Sequence, residues 1–484
     1  MKHPSRRTRF IFASVVFLLA LTTVAGAQAT VTTKTGTLPD GATYLIEVPV
    51  PWNGTLLLYS HGYVAPGSPN PALDAGDPAT HAFLLETGFA LAGSSYAHTG
   101  WAIQEGLLDQ MAVLDIFDTA VGNPRHTIAW GHSLGGTITA GLIQRNPQRF
   151  DAALPLCGNV AGSVGTWNQA LDFAFAFKTL LAPNSPLELT NIINPLANLA
   201  LSESILAAAG ATPQGQARLA LAAAVGDIPG WFDPASPEPA ASDFAAQVQN
   251  QFLWAKSTDL PFVFALRAEV EVRAAGNPSW NTGVDYRRQL QNSVDRNEVI
   301  ALYAAAGLNL EHDLETLNQA PRITANPASV AYLEQNIVFN GNLNGVPVLT
   351  MHTKGDGLVT NQQERAYMTT VREAGNGRFL RELFVHRAGH CAMTPAEQVT
   401  ALSNLIFRMD TGFWPDLNPN LLSVEAGVLG PLNVAPPSFF RFQPKPFLRP
   451  LDTFTEQEGL EDHERRRDAE DCSLLPARRF ACSR

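Results

Sequence analysis

The stretch AWGHSLGGT at residues 129–137 constrains the fold more than any other part of this sequence. It places Ser133 between Gly131 and Gly135, at the point where one apolar run ends and another begins. Flanking glycines are what a tight strand-to-helix turn requires, because side chains there would collide with the neighbouring strands and helix. The stretch therefore predicts a turn that lifts the Ser133 hydroxyl out of a β-sheet, with the first N–H groups of a helix pointing at the same space.

Strand-like and helix-like segments alternate on both sides of this turn. Strands are predicted at 31–38, 43–49, 55–60, 89–95, 126–131, 151–158, 346–353 and 379–386. Helices are predicted near 79–87, 105–121, 134–145, 361–374 and 395–409. The three opening strands look like a β-meander, whereas the later alternation favours an α/β fold with a mostly parallel central sheet flanked by helices.

A long interruption separates the predicted sixth and seventh strands. Residues 163–340 are rich in Ala, Leu and Asn and have helical apolar periodicity, which predicts a helical cap domain inserted between those strands. The core is then expected in two parts, 30–162 and 341–412, followed by a Pro-rich, partly disordered tail at 413–484. The aromatic residues of the insertion should mostly form its own core, and a few should line an apolar pocket. They include Trp167, Phe173, Phe175, Phe177, Trp231, Phe232, Phe252, Trp254, Phe262 and Phe264.

Residues 1–29 are predicted to be a cleavable signal peptide. Lys2, Arg6, Arg7 and Arg9 precede an apolar run and then small residues, as in secretory signals. Without these four positive charges the formal net charge of −11 becomes −15, which disfavours a nucleic-acid partner. Because no later apolar run approaches the roughly 20 residues of a membrane-spanning helix, no stable membrane insertion is expected. The mature protein is expected to be secreted or periplasmic, and its oligomeric state is not indicated.

A serine hydroxyl becomes a nucleophile only when a base takes its proton and an acid orients that base. Asp356 lies in HTKGDGLV, in a loop just past the seventh strand, and His390 lies in HRAGHCAMT, past the last strand. The chain order Ser133, Asp356, His390 is the one expected of α/β-hydrolases. His386 is the alternative base, but Gly389 suits a loop that must curl back over the sheet, which favours His390 and leaves His386 as a structural partner.

Acyl transfer also needs hydrogen-bond donors for the developing oxyanion. His61 and Gly62 follow the third predicted strand, where glycine lets the backbone come close to the nucleophile. The N–H of Tyr63 or Gly62 could then act together with that of Leu134. A His-Gly pair after a strand is often only a turn, so this prediction depends on the other parts of the site.

Together these segments resemble the α/β-hydrolases over about 31–162 and 341–412, and GHSLGG is shared closely with lipases and esterases. The resemblance implies an α/β-hydrolase fold, a catalytic triad of Ser133, His390 and Asp356, and an oxyanion hole at Leu134 and Tyr63. The chain has no His-Gly-Gly-Gly run after the third strand, and the loop after the fourth strand lacks the Asp-x-x-Gly pattern of many close relatives. These departures leave the subfamily open.

The four cysteines contain no C-x-x-C pair, which disfavours zinc or thioredoxin-like chemistry. Cys391 directly follows His390, and here the chain is similar in part to the tannase and feruloyl-esterase group, in which a disulfide joins the nucleophile and histidine segments. In that group the partner cysteine precedes the serine, a place taken by His132 here. The resemblance implies a Cys157–Cys391 bridge, which is geometrically reasonable because Cys157 ends the next strand. Cys472–Cys482 is the expected second pair, and a free, buried Cys157 thiol is the alternative.

The sequence thus predicts a secreted serine hydrolase that cleaves small-molecule or polymeric carboxylic esters through an acyl-enzyme. A serine nucleophile in place of aspartate disfavours dehalogenases and epoxide hydrolases. The alternative is a serine exopeptidase of the aminopeptidase type, in which Glu269, Glu271 or Asp285 could hold a substrate ammonium group. No cofactor or metal is expected, because every reacting group is supplied by the protein.

Overall fold

A nine-stranded β-sheet forms the centre of the computed structural model, which describes residues 30–449. The predicted signal peptide and the predicted Cys472–Cys482 pair lie outside the described residues. The strands are β1 (Thr30–Thr37), β2 (Thr43–Val50), β3 (Thr55–Ser60), β4 (Ala90–Ser94), β5 (His126–His132), β6 (Ala152–Leu156), β7 (Val348–Gly355), β8 (Leu380–Ala388) and β9 (Phe439–Phe440). Strands β3 to β8 run parallel, and β1, β2 and β9 pair antiparallel at the two edges.

The expected β-meander is wrong in one respect. Strands β1 and β2 do pair antiparallel, but the sheet order is β1-β2-β4-β3-β5-β6-β7-β8-β9, so that β4 lies between β2 and β3. All six residues of β3 are buried. Because a strand that is apolar on both faces is stable where helices cover both faces of the sheet, β3 lies inside the parallel part rather than beside the edge pair.

Helices occupy both faces of this sheet and the long interval between β6 and β7. The helices are α1 (Pro78–Glu86), α2 (Ile103–Ala120), α3 (Leu134–Arg145), α4 (Gly162–Leu181), α5 (Pro195–Gly210), α6 (Pro213–Val225), α7 (Phe244–Trp254), α8 (Arg267–Arg273), α9 (Tyr286–Asn292), α10 (Arg296–Ala306), α11 (Leu310–Gln319), α12 (Pro327–Gln335), α13 (Gln362–Glu373), α14 (Pro395–Thr411) and α15 (Pro419–Gly427). The helices α4 to α12 all lie between β6 and β7 in the chain.

Side chains of the parallel strands alternate between two cores. Leu56, Leu58 and Ala129 pack with α2, α3 and α13 on one face, whereas Leu57 and Trp130 pack with α1, α14 and α15 on the other. This period of two is the one that a β-strand imposes on its side chains. The expected fold class, an α/β-hydrolase fold with a mostly parallel central sheet flanked by helices, is therefore confirmed.

The helical insertion has a hydrophobic core of its own. Phe177, Phe264, Tyr286 and Tyr303 are among its fully buried members. The insertion also reaches the carboxyl ends of the parallel strands, where the ring of Phe262 lies 5.2 Å from that of Tyr63 between centroids. It therefore packs beside the edge of the sheet at which the candidate site residues lie.

The segment after α14 crosses back over the molecule. Strand β9 pairs antiparallel with β8, and further along Phe447 and Arg449 are buried. Arg449 Nη1 lies 3.1 Å from Asp172 Oδ2, and this carboxylate, fully buried on α4, also accepts a hydrogen bond from the Tyr286 hydroxyl at 2.9 Å. Within residues 30–449, no helix combines the length and the apolar character needed to cross a bilayer.

We expect Arg449→Met to lower the free energy of unfolding by about 3–5 kcal/mol, because it leaves the Asp172 carboxylate buried without its cation. Chemical denaturation measures this loss. The exposed Arg441 supplies the matched control, since Arg441→Met should change stability by less than about 0.5 kcal/mol. Equal stability of the two variants would contradict the anchoring role of the ion pair.

Candidate active site

Ser133 lies at the sharp turn between β5 and α3. Its backbone has φ 57° and ψ −125°, a conformation that residues with a side chain rarely adopt. The turn is held by the Ser133 N–H, which donates to the carbonyl of Leu156 at 2.9 Å. Because α3 begins at Leu134, the hydroxyl stands at the positive end of a helix dipole.

The two glycines that flank Ser133 are required by close backbone packing. A Cβ atom on Gly131 would lie 2.4 Å from the carbonyl oxygen of Ser60, and one on Gly135 would lie 1.9 Å from the same oxygen. Neither distance is tolerable for a carbon atom. Any larger residue would therefore push the turn away from β3.

His390 is brought to Ser133 by the loop that follows β8. Its Nε2 lies 2.8 Å from Ser133 Oγ. The preceding Gly389 has φ +97°, and its carbonyl accepts a hydrogen bond from Thr353 Oγ1 at 2.6 Å, which fixes the curl of the loop. His386, the alternative base, points elsewhere, with its Nε2 2.8 Å from a carboxylate oxygen of Glu238.

Asp356 completes a line of hydrogen bonds with His390. Its Oδ2 lies 2.7 Å from His390 Nδ1, and its Oδ1 accepts from the backbone N–H groups of Leu358 and Val359, both at 3.0 Å. Burial alone would raise the pKa of Asp356, but the charges and hydrogen bonds of His390 and His352 hold it at about 2. The group is therefore a carboxylate at any ordinary pH.

Sequence reasoning missed a second buried histidine behind Asp356. His352 lies on β7, with Nδ1 3.0 Å from Glu364 Oε1 and Nε2 2.8 Å from the carbonyl of Val359 and 3.4 Å from Asp356 Oδ2. Both ring nitrogens face only acceptors, so both must donate. Burial alone would lower the pKa of His352, but Asp356 and Glu364 raise it to about 10, which makes it an imidazolium. No spacing rule in the sequence pointed to this pair.

Cys157 and Cys391 form a disulfide, with their Cα atoms 5.4 Å apart. This is the pair that the resemblance implied, and Cys157 is therefore not a free thiol. The bond joins the residue after His390 to the end of β6, the neighbour of the strand that leads into Ser133. It fixes the loop carrying the histidine against the sheet.

The candidate oxyanion donors lie close to Ser133. A Cβ atom on Gly62 would stand 3.3 Å from Ser133 Cβ and 3.8 Å from Ser133 Oγ, so the backbone of Gly62 passes directly beside Ser133. Tyr63 and Leu134 line the same cavity as Ser133. A hydrogen bond holds the loop after β3 in place, because the Tyr96 hydroxyl donates to the carbonyl of His61 at 3.0 Å.

A cavity that is partly open to solvent lies beside Ser133. Its aromatic walls come from the sheet edge and the insertion: Tyr63, Trp101, Trp167, Phe173 and Phe262. Polar groups are interspersed among them: Asn159, Thr166, Gln169, Asp259 and Thr360. Most other aromatic residues of the insertion pack into its own core, as expected.

The acids considered for holding an ammonium group are engaged in other contacts. Glu269 accepts from Arg273 Nε at 2.7 Å, and Glu271 accepts from Arg267 Nε at 2.9 Å. Asp285 caps the first turn of α9. Within the described part of the chain, none of these three acids lines the Ser133 cavity.

One cluster within residues 30–449 has the side chains and spacing to hold a metal ion: Glu47, Asp74 and His81. His81 Nε2 lies 2.6 Å from Glu47 Oε2 and 3.6 Å from Asp74 Oδ1, and Asp74 Oδ2 has no hydrogen-bond partner among the described residues. In the described residues this cluster does not line the Ser133 cavity.

Comparison with known proteins gives one clear relative in sequence. No family model matches the chain. The chain is 29% identical over 424 residues to an o-phthalyl amidase from Xanthobacter agilis, a match that covers 82% of this chain and 91% of the relative.

Solved structures are similar to this chain only at a low level, as two examples show. Feruloyl esterase B from Aspergillus oryzae matches with a TM-score of 0.39 and 15% identity, over 80% of this chain and 82% of the other. The rice cell wall degrading esterase LipA from Xanthomonas oryzae matches with a TM-score of 0.35 and 13% identity, over 81% and 94%. The fold assignment therefore rests on the strand order and the helices described above.

The disulfide leads to a prediction about the stability of the protein. Replacing both cysteines, Cys157→Ala with Cys391→Ala, should lower the free energy of unfolding by about 2–5 kcal/mol, because the bond closes a long loop of the chain. Denaturant titration of wild type and double variant measures the loss. If wild type is as stable with a reductant as without it, and no more stable than the variant, the predicted contribution is absent.

The raised pKa of His352 leads to a second prediction, on how stability depends on pH. Its pKa is raised from 6.5 to about 10, so its contribution to stability is complete below about pH 6.5 and is lost as the pH rises through about 10. The difference in Tm between wild type and His352→Gln should therefore shrink from pH 6.5 to pH 10. A difference that stays constant over this range would show that His352 is neutral in the folded protein.

Proposed function

We propose that this protein is a serine hydrolase that cleaves carboxylic acyl substrates, esters foremost, through an acyl-enzyme on Ser133. The observation that carries the proposal is the unbroken line of contacts from Ser133 Oγ through His390 to Asp356, at 2.8 and 2.7 Å. These are the distances at which a histidine can take a serine proton while an acid holds its second nitrogen. Ser133 also lines a cavity whose walls are mostly apolar, where an acyl group could bind.

In the proposed reaction, Ser133 Oγ attacks the substrate carbonyl carbon and its proton passes to His390 Nε2. Asp356 accepts the hydrogen bond from His390 Nδ1 and stabilises the imidazolium that forms. The N–H of Leu134 and that of Tyr63 or Gly62 donate to the oxyanion. His390 then protonates the leaving oxygen or nitrogen, and the same imidazole later deprotonates the water that releases the acid.

The walls of the cavity favour an aromatic acyl group. Trp167, Phe173 and Phe262 present rings beside Ser133, and aromatic rings pack well against one another. Amides are the second candidate class, because the relative in sequence is named an o-phthalyl amidase. Both classes use the same acyl-enzyme and differ in the group that His390 must protonate.

A serine exopeptidase has less support. Such an enzyme needs an ionised acid in the cavity to hold the substrate ammonium. Glu269 and Glu271 are paired with arginines and do not line the cavity, and burial raises the pKa of Asp259, which does line it. The helical insertion, predicted at 163–340, acts in this proposal as the cap that shapes the acyl pocket. A location outside the cytoplasm, secreted or periplasmic, is supported by the Cys157–Cys391 disulfide, since such bonds persist in oxidising compartments.

The substrate class and the triad are tested together. Ser133→Ala and His390→Gln should each lower kcat for p-nitrophenyl benzoate by roughly 10⁴-fold or more, and Asp356→Asn by about 10³–10⁴-fold. An aryl anilide and an aminoacyl p-nitroanilide, assayed beside the ester, separate amidase and peptidase activity from esterase activity.

His386→Gln is the matched control, because this histidine lies four positions from His390 but contacts Glu238. It should keep wild-type rates. Activity that survives in Ser133→Ala, or a loss in His386→Gln equal to that in His390→Gln, would contradict the assignment.

A further inference from the structure

An acidic side chain of the helical insertion lines the cavity but has no part in the proposed reaction. Asp259 is 8% exposed and shares the cavity with Ser133. Its Oδ2 has no hydrogen-bond partner among the described residues. Buried carboxyl oxygens are normally paired, because an unpaired one loses its hydration without compensation. Because Asp259 lines the cavity, a bound ligand is in a position to supply the missing partner.

Irregular helix geometry holds Asp259 at this wall. It ends a π-helical turn, Ala255–Asp259, and a second π-helical turn, Phe262–Leu266, supplies Phe262 and Val263 to the same cavity. Pro261 stands between the two turns and has no N–H to donate to a regular helix. Turns of this kind are uncommon and are frequent at functional sites. One distorted helix thus presents an acid and two apolar side chains to the substrate space.

The charges around Asp259 determine which group it can bind. Burial, together with the negative charge of Asp356, raises the pKa of Asp259 to about 8. Among the described residues that line the cavity there is no Lys or Arg. At neutral pH the carboxyl group is therefore mostly protonated, with an O–H to donate.

Two other lining residues also carry unused donors. Tyr63 Oη and Trp167 Nε1 are buried and have no hydrogen-bond partner among the described residues. An ammonium group has only hydrogens to donate, so it cannot accept the hydrogen bond that Trp167 Nε1 offers. A carboxylate substituent would enter without a cation to neutralise it. A neutral oxygen acceptor can accept from these donors and carries no charge that needs a cation.

We propose that Asp259 is a specificity residue that donates a hydrogen bond to a neutral oxygen substituent on the aromatic acyl group of the substrate. The inference rests on the proposed function of Ser133 and narrows its substrate class to aryl esters or amides whose ring carries a hydroxyl, alkoxy or carbonyl oxygen. In this proposal the rings of Trp167, Phe173 and Phe262 pack against the aryl group, and Asp259 donates the hydrogen bond beside them.

The first test measures specificity. We compare kcat/KM for p-nitrophenyl benzoate with that for its hydroxy, methoxy, carboxy and aminomethyl derivatives at each ring position, each corrected for its rate with hydroxide. Wild type should prefer one neutral oxygen derivative over benzoate by roughly tenfold or more. Asp259→Leu should abolish this ratio, and Asp259→Asn, which keeps an N–H donor, should retain most of it.

Ser257→Ala is the matched control, because Ser257 is exposed on the same π-helical turn. It should keep the wild-type ratio. An unchanged ratio in Asp259→Leu, or a preference for the aminomethyl or carboxy derivative, overturns the inference. Benzoate hydrolysis that depends on Ser133 but shows no substituent preference overturns this inference alone, whereas no Ser133-dependent hydrolysis of any ester overturns the proposed function as well.

The second test is independent of turnover. The Asp259 Oδ2 atom has no hydrogen-bond partner among the described residues, so Asp259→Leu should have a Tm equal to or above that of wild type. A Tm lowered by several degrees in both Asp259→Leu and Asp259→Asn would show that the side chain is structural, and would overturn the inference.

Discussion

The backbone of Ser133 is held in a conformation that residues with a side chain rarely adopt, and the rest of the site is arranged around it. Such strain costs about 1–3 kcal/mol and persists only where the surroundings impose it. Here the carbonyl of Ser60 leaves no room for a side chain at Gly131 or Gly135, and Leu156 accepts the Ser133 N–H. The turn is thus fixed by packing between β3, β5 and β6.

The strain extends to both ends of the disulfide. Cys157 has φ 46° and Cys391 has φ 53°, so the bond joins two residues that are themselves in left-handed conformations. It connects the strand beside the serine turn to the loop that carries His390. A covalent link at this point helps to hold the His390 ring at hydrogen-bond distance from the Ser133 hydroxyl.

The Asp356 carboxylate has a different neighbour on each of its two sides. Behind Asp356, the imidazolium of His352, which also contacts Glu364, helps to keep Asp356 ionised. On the side of the cavity, the negative charge of Asp356 helps to raise the pKa of Asp259. One buried charge thus serves the proposed reaction on one side and shapes the pocket on the other.

Local patterns predicted the strands and helices of the core closely, because each has a clear apolar period and clear turn residues. They misplaced β3, since pairing between strands is decided by burial across the whole sheet. His352, Glu364 and Asp259 could not be found from the sequence. Their roles depend on which side chains meet after folding, and an isolated His, Glu or Asp in a helical or strand pattern has no distinctive spacing. Arg449 likewise gained its importance only by reaching Asp172.

The most direct test of the account is covalent labelling of the protein with an organophosphonate that reacts with activated serines, followed by peptide mass spectrometry. The account predicts one adduct per chain, located on Ser133, and no adduct in His390→Gln at the same exposure. Failure to label wild type, or an adduct on another serine, would contradict the claim that His390 and Asp356 make Ser133 a nucleophile.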